Sequence, residues 1–466
     1  MLLQLMKPTI VLFLFTLSWT YGLYRPPKIK AHKSWSKLNE DPLILTPFLE
    51  NGSIPLARQY SKVAPLKGNV ESYAGFFTVN KTYNSNMFFW FFPAEIASDQ
   101  APVVVWLQGG PGVSSLFGLF AENGPYVIDD NMNVGLRKYS WTKRFSMLYI
   151  DNPVGTGYSF TNQEQGYSKT EDEVGVNLFN LIYQFFQLFP TLLKNDFFVT
   201  GESYGGKYVP ALAYTIHQMN KISPARINLK GVAIGNGLCD PIHQLNYGDL
   251  LYEIGLIDSN AKKEFDKRRE QAITYIGQQR YDEAFKIFDT LLDNDLTNSS
   301  SLFTNVTGFT NYYNFLRSED SPIDNVVTFV QQPSIRKLIH VGDSPFHTDR
   351  TVEIHLVNDI MKSVVPYIQT LVENYRVLIY NGQLDIIVGY PLTEEFLKNL
   401  QWSGTAEYRV APRHIWKVRK QIAGYYKTVK NLTEVLVRNA GHMVPSDQPL
   451  FAYDLITRFV FNKSFL

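Results

Sequence analysis

The chain has 466 residues, of which 45% are hydrophobic and 19% are charged, so it can bury a large core and is neither a disordered nor a fibrous polymer. Its 44 basic and 43 acidic side chains give a formal net charge of +1, which argues against a charge-driven function such as binding nucleic acid or an anionic membrane. The single cysteine, Cys239, excludes an intramolecular disulfide, a four-thiolate zinc site and a cysteine-ligated iron–sulfur cluster within one subunit. We predict one or a few globular domains, with neither a metal nor a cofactor.

The N-terminus predicts a route through the secretory pathway. Residues 1–7 carry one positive charge, and an apolar run follows them as far as Trp19, shortly before the small residue Gly22. Because this run is too short to span a bilayer comfortably and ends in a residue suited to signal peptidase, we interpret residues 1–22 as a cleaved secretory signal. The alternative is a buried strand or helix at the start of the fold. No second long apolar segment follows, so we expect no membrane association after signal removal.

Asn-x-Ser/Thr sequons support the same route. The candidate N-glycosylation sites are Asn51, Asn80, Asn298, Asn305, Asn431 and Asn462. A single sequon is weak evidence, because the tripeptide arises by chance. Together with the N-terminal segment, the set fits a lumenal route, and we expect an extracellular or lysosomal/endosomal glycoprotein.

The middle of the chain alternates predicted strands and helices. Residues 102–107 are a continuous apolar, β-branched run that ends in the glycine-rich loop 108–112, as is typical of a strand buried on both faces. Residues 146–151 and 196–200 repeat the pattern. Between these two runs, residues 174–189 carry apolar side chains at helical spacing, and Pro190 stops the predicted helix.

The order of strand, helix and strand implies parallel pairing through a right-handed crossover. Further strands are predicted at residues 229–234, 376–380 and 434–437. The predicted fold class is therefore α/β, with a mostly parallel central sheet. Ligands of such sheets bind beyond the carboxyl ends of the strands, so we expect the functional site there.

Residues 240–342 differ in composition from the rest of the chain. They include charged stretches whose residues follow a helical period. We interpret them as a helical insertion, or cap, over the sheet, which divides the core into residues 23–239 and 343–466. The charged run at residues 262–270 is explained by a solvated helix face. The polar stretch at residues 294–310 is predicted to be a surface loop, and its cleavage on maturation stays an open question.

Residues 200–206, with the sequence TGESYGG, lie between the predicted strand 196–200 and a predicted helix at residues 207–219. A serine in Gly-x-Ser-x-Gly at such a junction stands on a sharp turn that exposes its hydroxyl above the sheet, and glycine at the flanking positions avoids steric collision. The pentapeptide alone also occurs in ordinary loops, but the flanking elements favour a nucleophile. A hydroxyl is a poor nucleophile at neutral pH, so Ser203 needs an imidazole as base and a carboxylate to hold that imidazole.

Eight histidines compete for the role of base, and the sequence favours His442. His442 follows the predicted strand 434–437, whereas the other histidines lie in helical or unpatterned contexts, where a packed or surface residue is the simpler explanation. Asp385 follows the predicted strand 376–380 in a similar way. The order Ser203, Asp385, His442 is the one expected of an α/β-hydrolase.

Acylation also needs hydrogen-bond donors for the oxyanion. We assign this role to the backbone N–H groups of Gly110, in the loop 108–112, and of Tyr204, next to the nucleophile. The alternatives for the loop are an ordinary strand-to-helix turn or a phosphate cradle. The loop lacks the Gly-Lys-Ser/Thr ending of a P-loop, and the chain contains no ordered dinucleotide fingerprint.

Five blocks of the sequence together closely resemble the serine carboxypeptidase family. They are residues 106–112 (WLQGGPG) with Ser114 and Ser115, residues 151–159 (DNPVGTGYS), 201–206 (GESYGG), 381–385 (NGQLD) and 441–445 (GHMVP). Residues 72–92 are similar to the vitellogenic-like branch of that family. The resemblance covers nearly all of the mature chain. It implies an α/β-hydrolase core with a helical insertion, and the removal of C-terminal amino acids from peptides or proteins in an acidic or extracellular compartment.

The resemblance also implies a binding site for the carboxylate of the substrate. In such enzymes an amide side chain and two glutamates bind it; Gln108 stands at the amide position, Glu122 at the first glutamate and Glu202 at the second. Most members have asparagine where this chain has Gln108. Val113 stands where many members have cysteine, so the family's disulfides do not transfer. The alternative for Glu122 is a surface or helix-start residue.

Two ionised glutamates facing a substrate carboxylate would bring three like charges together, so at least one must be protonated. We therefore predict a raised apparent pKa for this pair and a peptidase activity that falls as pH rises through neutrality. Two other functions stay open: an acyltransferase or esterase on the same triad, and a non-catalytic secreted binding or storage protein. Cys239 is predicted to be a buried small hydrophobe rather than a functional thiol. Either a monomer or a homodimer fits the sequence.

Overall fold

The computed structural model describes residues 40–223, 225–294, 296, 299–319 and 324–465. The predicted signal at residues 1–22 and the sequon at Asn298 lie outside these residues. The described strands are β1 (Lys62–Val63), β2 (Ser72–Asn80), β3 (Ser85–Phe92), β4 (Val103–Leu107), β5 (Tyr126–Ile128), β6 (Val134–Leu136), β7 (Ser146–Ile150), β8 (Phe197–Glu202), β9 (Leu229–Gly235), β10 (Arg376–Gly382), β11 (His414–Val418), β12 (Gln421–Val429) and β13 (Leu432–Val437).

The described α-helices are α1 (Thr46–Glu50), α2 (Ile54–Ser61), α3 (Glu171–Leu188), α4 (Gly205–Met219), α5 (Tyr247–Glu253), α6 (Ser259–Gly277), α7 (Tyr281–Leu292), α8 (Leu302–Thr307), α9 (Asp324–Val330), α10 (Pro333–Leu338), α11 (Thr351–Leu356), α12 (Val365–Asn374), α13 (Tyr390–Asn399), α14 (Thr405–Val410), α15 (Val444–Asp447) and α16 (Pro449–Val460). None of these described helices is both long enough and apolar enough to cross a bilayer.

Eleven of the described strands form one sheet, in the order β1-β2-β3-β7-β4-β8-β9-β10-β13-β12-β11, while β5 pairs with β6 in a separate ribbon. The central strands from β7 to β13 in this order pair in parallel. The flanking strands β1 to β3 on one side, and β12 and β11 on the other, pair antiparallel. The predicted α/β class with a mostly parallel central sheet is confirmed.

The central strands are buried on both faces, which explains their continuous apolar sequences. Every residue of β4 is buried, and its side chains alternate between two cores. Val103 and Val105 pack in the core that includes residues of α3 and α4. Val104 and Trp106 pack in the core that includes residues of α16. The strand alternation therefore divides one apolar run between two helical layers.

The predicted elements of the core are all present, with ends that differ by a few residues. The helix predicted at residues 174–189 begins earlier, at Glu171, because the side chain of Thr170 accepts a hydrogen bond from the Glu173 nitrogen and caps it. Cys239 is buried, as predicted, and its Sγ lies 3.3 Å from the Gly206 carbonyl oxygen.

Helices α5 to α10 occupy the described part of residues 240–342, where a helical insertion is predicted. The predicted surface loop at residues 294–310 is wrong in part, because it contains α8. Ser301 Oγ caps this helix by accepting from the Thr304 nitrogen at 3.1 Å, and Gly308 ends it at a φ of +75°. Phe303, which is fully buried, anchors it.

Candidate active site

Ser203 stands on the turn between β8 and α4, the junction at which the nucleophile was predicted. Its φ is +60°, a value that residues with a Cβ atom rarely adopt. The glycine loop packs directly against this turn: a Cβ atom on Gly109 would lie 2.5 Å from the Tyr204 nitrogen and 2.7 Å from the Ser203 Cβ. Only glycine at position 109 allows this approach. Ser203 remains partly exposed at the carboxyl end of the sheet.

His442 and Asp385 meet beyond the carboxyl ends of β13 and β10, which are neighbours in the sheet. His442 Nδ1 lies 2.9 Å from Asp385 Oδ2, and both side chains are buried. A carboxylate only accepts hydrogen bonds, so Nδ1 carries a proton in this contact, and in the neutral imidazole Nε2 then has the free lone pair. Nε2 is buried and makes no hydrogen bond to the residues that the structure describes. The imidazole is thus held in the tautomer that a general base requires.

Asn236 also holds Asp385, a contact that was not predicted from the sequence. Asn236 follows β9 with a φ of +45°, and its Nδ2 donates to Asp385 Oδ2 at 2.6 Å. Its Oδ1 accepts from the Gly382 nitrogen at 3.2 Å. Asparagine tolerates this left-handed backbone better than most residues. The available signal was a polar residue directly after a predicted strand, the same cue that identified Asp385.

The loop that carries His442 is fixed by residues from two other segments. The His442 nitrogen donates to the Tyr313 carbonyl oxygen at 2.7 Å, and the centres of the two rings are 5.3 Å apart. The Gly441 nitrogen donates to Asp447 Oδ2 at 2.7 Å. Because Tyr313 belongs to residues 240–342, that segment helps to position the predicted base.

Gln108 and Glu202 are in direct contact, as a shared binding role would require. Gln108 Nε2 donates to Glu202 Oε1 at 2.9 Å, and Trp106 Nε1 donates to Gln108 Oε1 at 2.8 Å. The indole therefore fixes the orientation of the amide, with its nitrogen toward the glutamate. An amide nitrogen has two hydrogens, so Gln108 Nε2 can donate a second hydrogen bond beside the one to Glu202.

Glu122 lies at the end of a π-helical turn, Gly118–Glu122, and is buried. Arg137, which was not predicted, secures this turn: its Nη2 donates to the Phe120 and Tyr126 carbonyl oxygens at 2.5 and 3.2 Å, and its Nε donates to the Gly124 carbonyl oxygen at 3.1 Å. Because Glu122 is buried, the alternative of a surface position is wrong.

Burial raises the affinity of both glutamates for a proton. Burial and, after it, the charge of Glu122 raise the pKa of Glu202 well above its ordinary value. Burial also raises the pKa of Glu122, although its polar neighbours, Glu202 first and then Gln108, oppose the rise. The pair therefore retains a proton at pH values at which separate, exposed glutamates are ionised. This is the direction predicted from the sequence.

The loop that contains Gly110 is anchored by Asp151. Asp151 Oδ1 accepts from Ser114 Oγ at 2.5 Å and from the Ser115 nitrogen at 3.1 Å, while its Oδ2 accepts from the Tyr158 nitrogen at 2.8 Å. Burial raises the pKa of Asp151 to about 7. Gly110 itself has a φ of +114°. The oxyanion role of the Gly110 and Tyr204 N–H groups stays a prediction, although Gly109 brings the two loops into contact.

A cavity of about 510 Å³ opens above these residues. Its wall includes Gln108, Gly110, Glu202, Ser203 and His442. Asn311, Tyr312 and Tyr313 from residues 240–342 also line it. Glu122, Tyr204 and Asp385 are buried residues outside this lining. The cavity has the size expected of a small-ligand or peptide-end site. In the part of the chain that is described, no group of three histidine, cysteine or acidic side chains is placed to hold a metal ion.

Comparison with known proteins agrees with this geometry. Residues 64–462 match a family model described as serine carboxypeptidase. The venom serine carboxypeptidase of Apis mellifera is 51% identical over 99% of this chain and 100% of that protein. The probable serine carboxypeptidase CPVL of Homo sapiens is 51% identical over 91% of this chain and 90% of that protein. The vitellogenic carboxypeptidase of Aedes aegypti is 50% identical over 91% of each chain.

A solved structure gives the same result for the fold. The crystal structure of a prohormone-processing carboxypeptidase from Saccharomyces cerevisiae aligns with a TM-score of 0.76 and 26% sequence identity, over 87% of this chain and 96% of that chain. The family match spans most of the chain, and the relatives cover it nearly from end to end. The chain therefore belongs to the serine carboxypeptidase family and is a serine-type carboxypeptidase.

Proposed function

We propose that Ser203, His442 and Asp385 form the catalytic triad of this carboxypeptidase. The observation that carries the proposal is the 2.9 Å contact between His442 Nδ1 and Asp385 Oδ2, on a histidine that lines one cavity with Ser203. Asp385 holds the imidazole in the tautomer whose Nε2 can accept a proton. His442 Nε2 is buried and has no hydrogen-bond partner among the described residues, which suits it to receive that proton.

The reaction follows from these roles. Ser203 Oγ attacks the last peptide carbonyl of the substrate and passes its proton to His442 Nε2. When the tetrahedral intermediate collapses, the C–N bond breaks and His442 returns the proton to the leaving amino group. Water then attacks the acyl-enzyme, again with His442 as base, and releases the shortened peptide. The N–H groups of Gly110 and Tyr204 stabilise the oxyanion in both halves of the reaction.

We propose that Gln108, Glu122 and Glu202 select substrates by their C-terminal carboxylate. Gln108 and Glu202 form part of the cavity wall that contains Ser203, so a carboxylate bound there would place the preceding peptide bond at the nucleophile. The raised pKa of Glu202 lets it donate a hydrogen bond instead of repelling the substrate. As pH rises the pair of glutamates loses this proton, so the peptidase activity is expected to be highest in an acidic compartment.

We propose a secretory or lysosomal location, because the closely similar relatives are venom, vitellogenic and CPVL carboxypeptidases. The predicted N-terminal signal and the expected acidic working conditions fit this route. Of the candidate glycosylation sites in the described residues, Asn51, Asn305 and Asn462 are exposed, whereas Asn80 and Asn431 are half-buried. The exposed sites are the ones most accessible to glycan attachment.

The direct test is to incubate the secreted protein with an unmodified peptide at acidic and neutral pH, and with the same peptide carrying a C-terminal amide. Mass spectrometry is expected to show a ladder of products shortened from the C-terminus, formed faster at acidic pH and faster from the free acid. Internal cleavage, or no cleavage of either peptide, would contradict the proposal. Faster turnover of esters than of peptides, with transfer to added alcohols, would support an acyltransferase or esterase instead.

A further inference from the structure

The net charge of the chain conceals a strongly basic segment. Residues 408–433 contain no Asp or Glu, although the whole chain has a net charge of only +1. The basic side chains in this segment are Arg409, Arg413, Lys417, Arg419, Lys420, Lys427 and Lys430. The segment forms the end of α14 and the β11–β12 hairpin, and β11 is an edge strand of the sheet.

Most of these cations are exposed and lack acidic partners. Lys427 is half-buried and pairs with Glu434 at 3.4 Å. The other six are exposed, and within the described residues none of them forms an ion pair with a carboxylate. Some basic residues of α6 and α7 differ, because Lys262 pairs with Asp249 and Asp266, and Lys286 pairs with Asp282. We use the name cationic hairpin for Arg413, Lys417, Arg419 and Lys420.

The turn of the hairpin places two cations in a backbone conformation that does not suit them. Val418 and Gln421 are paired, so the loop contains only Arg419 and Lys420. Their φ values are +48° and +70°. Two-residue turns with positive φ at both positions favour Asn-Gly, because other side chains are strained there. A strained pair of long cationic side chains at the tip of a hairpin suggests that charge at this place has a function.

A second segment brings another cation to the same place. The Arg419 guanidinium lies 5.9 Å from the centre of the Tyr139 ring, and its Nη1 lies 3.4 Å from the Tyr139 hydroxyl. Lys138 Nζ lies 5.5 Å from the same ring. Two cations from distant parts of the sequence therefore converge on one tyrosine. Their mutual repulsion is relieved when an anion binds between them.

Protection of an edge strand against pairing is the competing explanation for cations here. It accounts for Lys417, which lies on β11. It does not account for the strained turn or for Lys138, neither of which belongs to the strand edge. Arg413, Lys417, Arg419 and Lys420 follow one another along the edge strand β11 and its turn, and a linear arrangement suits a linear polymer better than a flat bilayer.

We propose that the cationic hairpin, together with Lys138, binds a sulfated linear polysaccharide. The regularly spaced sulfate groups of such a chain complement a row of unpaired cations. The polymer belongs to the extracellular side of the secretory pathway, the location proposed above. Strands β12 and β13 separate β11 from β10, so a polymer on this edge leaves the catalytic cavity open. The proposal does not depend on the identity of the catalytic residues.

The test uses heparin as the probe, with the full secreted protein. The variant Arg413→Gln/Lys417→Gln/Arg419→Gln/Lys420→Gln is expected to elute from a heparin column at clearly lower salt than the wild type. Its affinity for a heparin oligosaccharide is expected to fall by about tenfold or more, with a smaller dependence of affinity on salt. A control variant removes four exposed lysines elsewhere, as Lys67→Gln/Lys194→Gln/Lys263→Gln/Lys267→Gln, and is expected to elute with the wild type.

Several results would overturn the proposal. They are equal loss of retention in the control variant, unchanged retention in the hairpin variant, or equal binding of desulfated heparin. Duplex DNA or anionic vesicles that bind as tightly as heparin at the same salt would also overturn it. The charge-preserving variant Arg413→Lys/Lys417→Arg is expected to retain binding, and peptidase activity with the thermal midpoint Tm checks that each variant is folded. If the fourfold variant does not fold, Lys417→Gln/Lys420→Gln replaces it in the same assay.

Discussion

Asn236 Nδ2 lies 2.6 Å from Asp385 Oδ2, the same oxygen that lies 2.9 Å from His442 Nδ1. One carboxylate oxygen thus has two donors, from two different strand ends. The amide of Asn236 is itself held by the Gly382 nitrogen. Asp385 is consequently fixed in the orientation that presents it to the histidine, and Asn236 acts as a positioning residue.

We predict that Asn236→Gly lowers kcat by about ten- to a hundredfold, because small displacements of catalytic groups have effects of this size. KM is expected to change little. Glycine is chosen because it accepts the φ of +45° at this position without strain. The matched control is Asn84→Gly, an exposed asparagine with a φ of +49°. The control is expected to retain full activity. Equal kcat in Asn236→Gly and the wild type would show that Asp385 needs no such support.

The pH profile tests the shared proton of Glu122 and Glu202. Both pKa values are raised, so the protonated pair that is proposed to bind the substrate carboxylate is lost as pH rises. We predict that kcat/KM for a free-acid peptide falls by about tenfold or more between about pH 5 and about pH 8. Glu202→Gln keeps a hydrogen-bond donor at every pH, so its profile is expected to be flatter over this range.

A peptide amide is the control for this prediction, because it has no C-terminal carboxylate that Glu122 and Glu202 could bind. Its turnover is expected to be slow and to show a weaker fall with pH. A free-acid profile that is flat or rises toward pH 8 would contradict the assigned role of the two glutamates.

Gln108→Asn tests the amide by making its side chain one methylene shorter. The Gln108 side chain bridges Trp106 and Glu202, with contacts of 2.8 and 2.9 Å. A shorter amide cannot keep both. We predict that KM for free-acid peptides rises by about three- to tenfold, while kcat changes less. A change of this size corresponds to the net free energy of about one hydrogen bond. An unchanged KM would mean that the amide does not contribute to carboxylate binding.

Glu171 gives a prediction about stability. It is buried near Lys207, both of its carboxyl oxygens lack hydrogen bonds to the described residues, and burial raises its pKa to about 8. The unfolded chain ionises this group at its ordinary pKa, whereas the folded protein keeps it protonated. Folding stability therefore falls as pH rises from the ordinary value toward about 8.

We predict that Glu171→Gln reduces this fall, by up to about 1 kcal/mol per pH unit, measured as ΔG of unfolding or Tm across that range. The control is Glu173→Gln, an exposed residue in the same turn of α3, which is expected to leave the slope unchanged. An identical slope in Glu171→Gln and the wild type would show that Glu171 is ionised in the folded protein.

The sheet was predictable because its central strands are buried on both faces and give continuous apolar runs such as that of β4. Asp385 and His442 were predictable as polar residues just past strand ends. The position of Ser203 was predictable from the Gly-x-Ser-x-Gly turn between a predicted strand and a predicted helix. Asn236 gave the same cue, but nothing in the sequence showed that its amide would reach Asp385.

Arg137 could not be predicted, because it acts on backbone carbonyl groups of a π-helical turn that has no sequence signature. The contact between Tyr313 and His442 joins segments far apart in the chain, and it depends on the fold of residues 240–342. Net charge concealed the cationic hairpin, because a sum over the chain does not report where charges lie.

Fluorophosphonate labelling with mapping of the adduct tests the central claim most directly, because the reagent forms a covalent bond only with an activated serine. The wild type is expected to carry one adduct, on Ser203, and Ser203→Ala is expected to remain folded and unlabelled. Ser446→Ala removes another serine of the same cavity and is expected to label normally. Labelling that survives in Ser203→Ala, or an adduct mapped to another residue, would contradict the proposed triad.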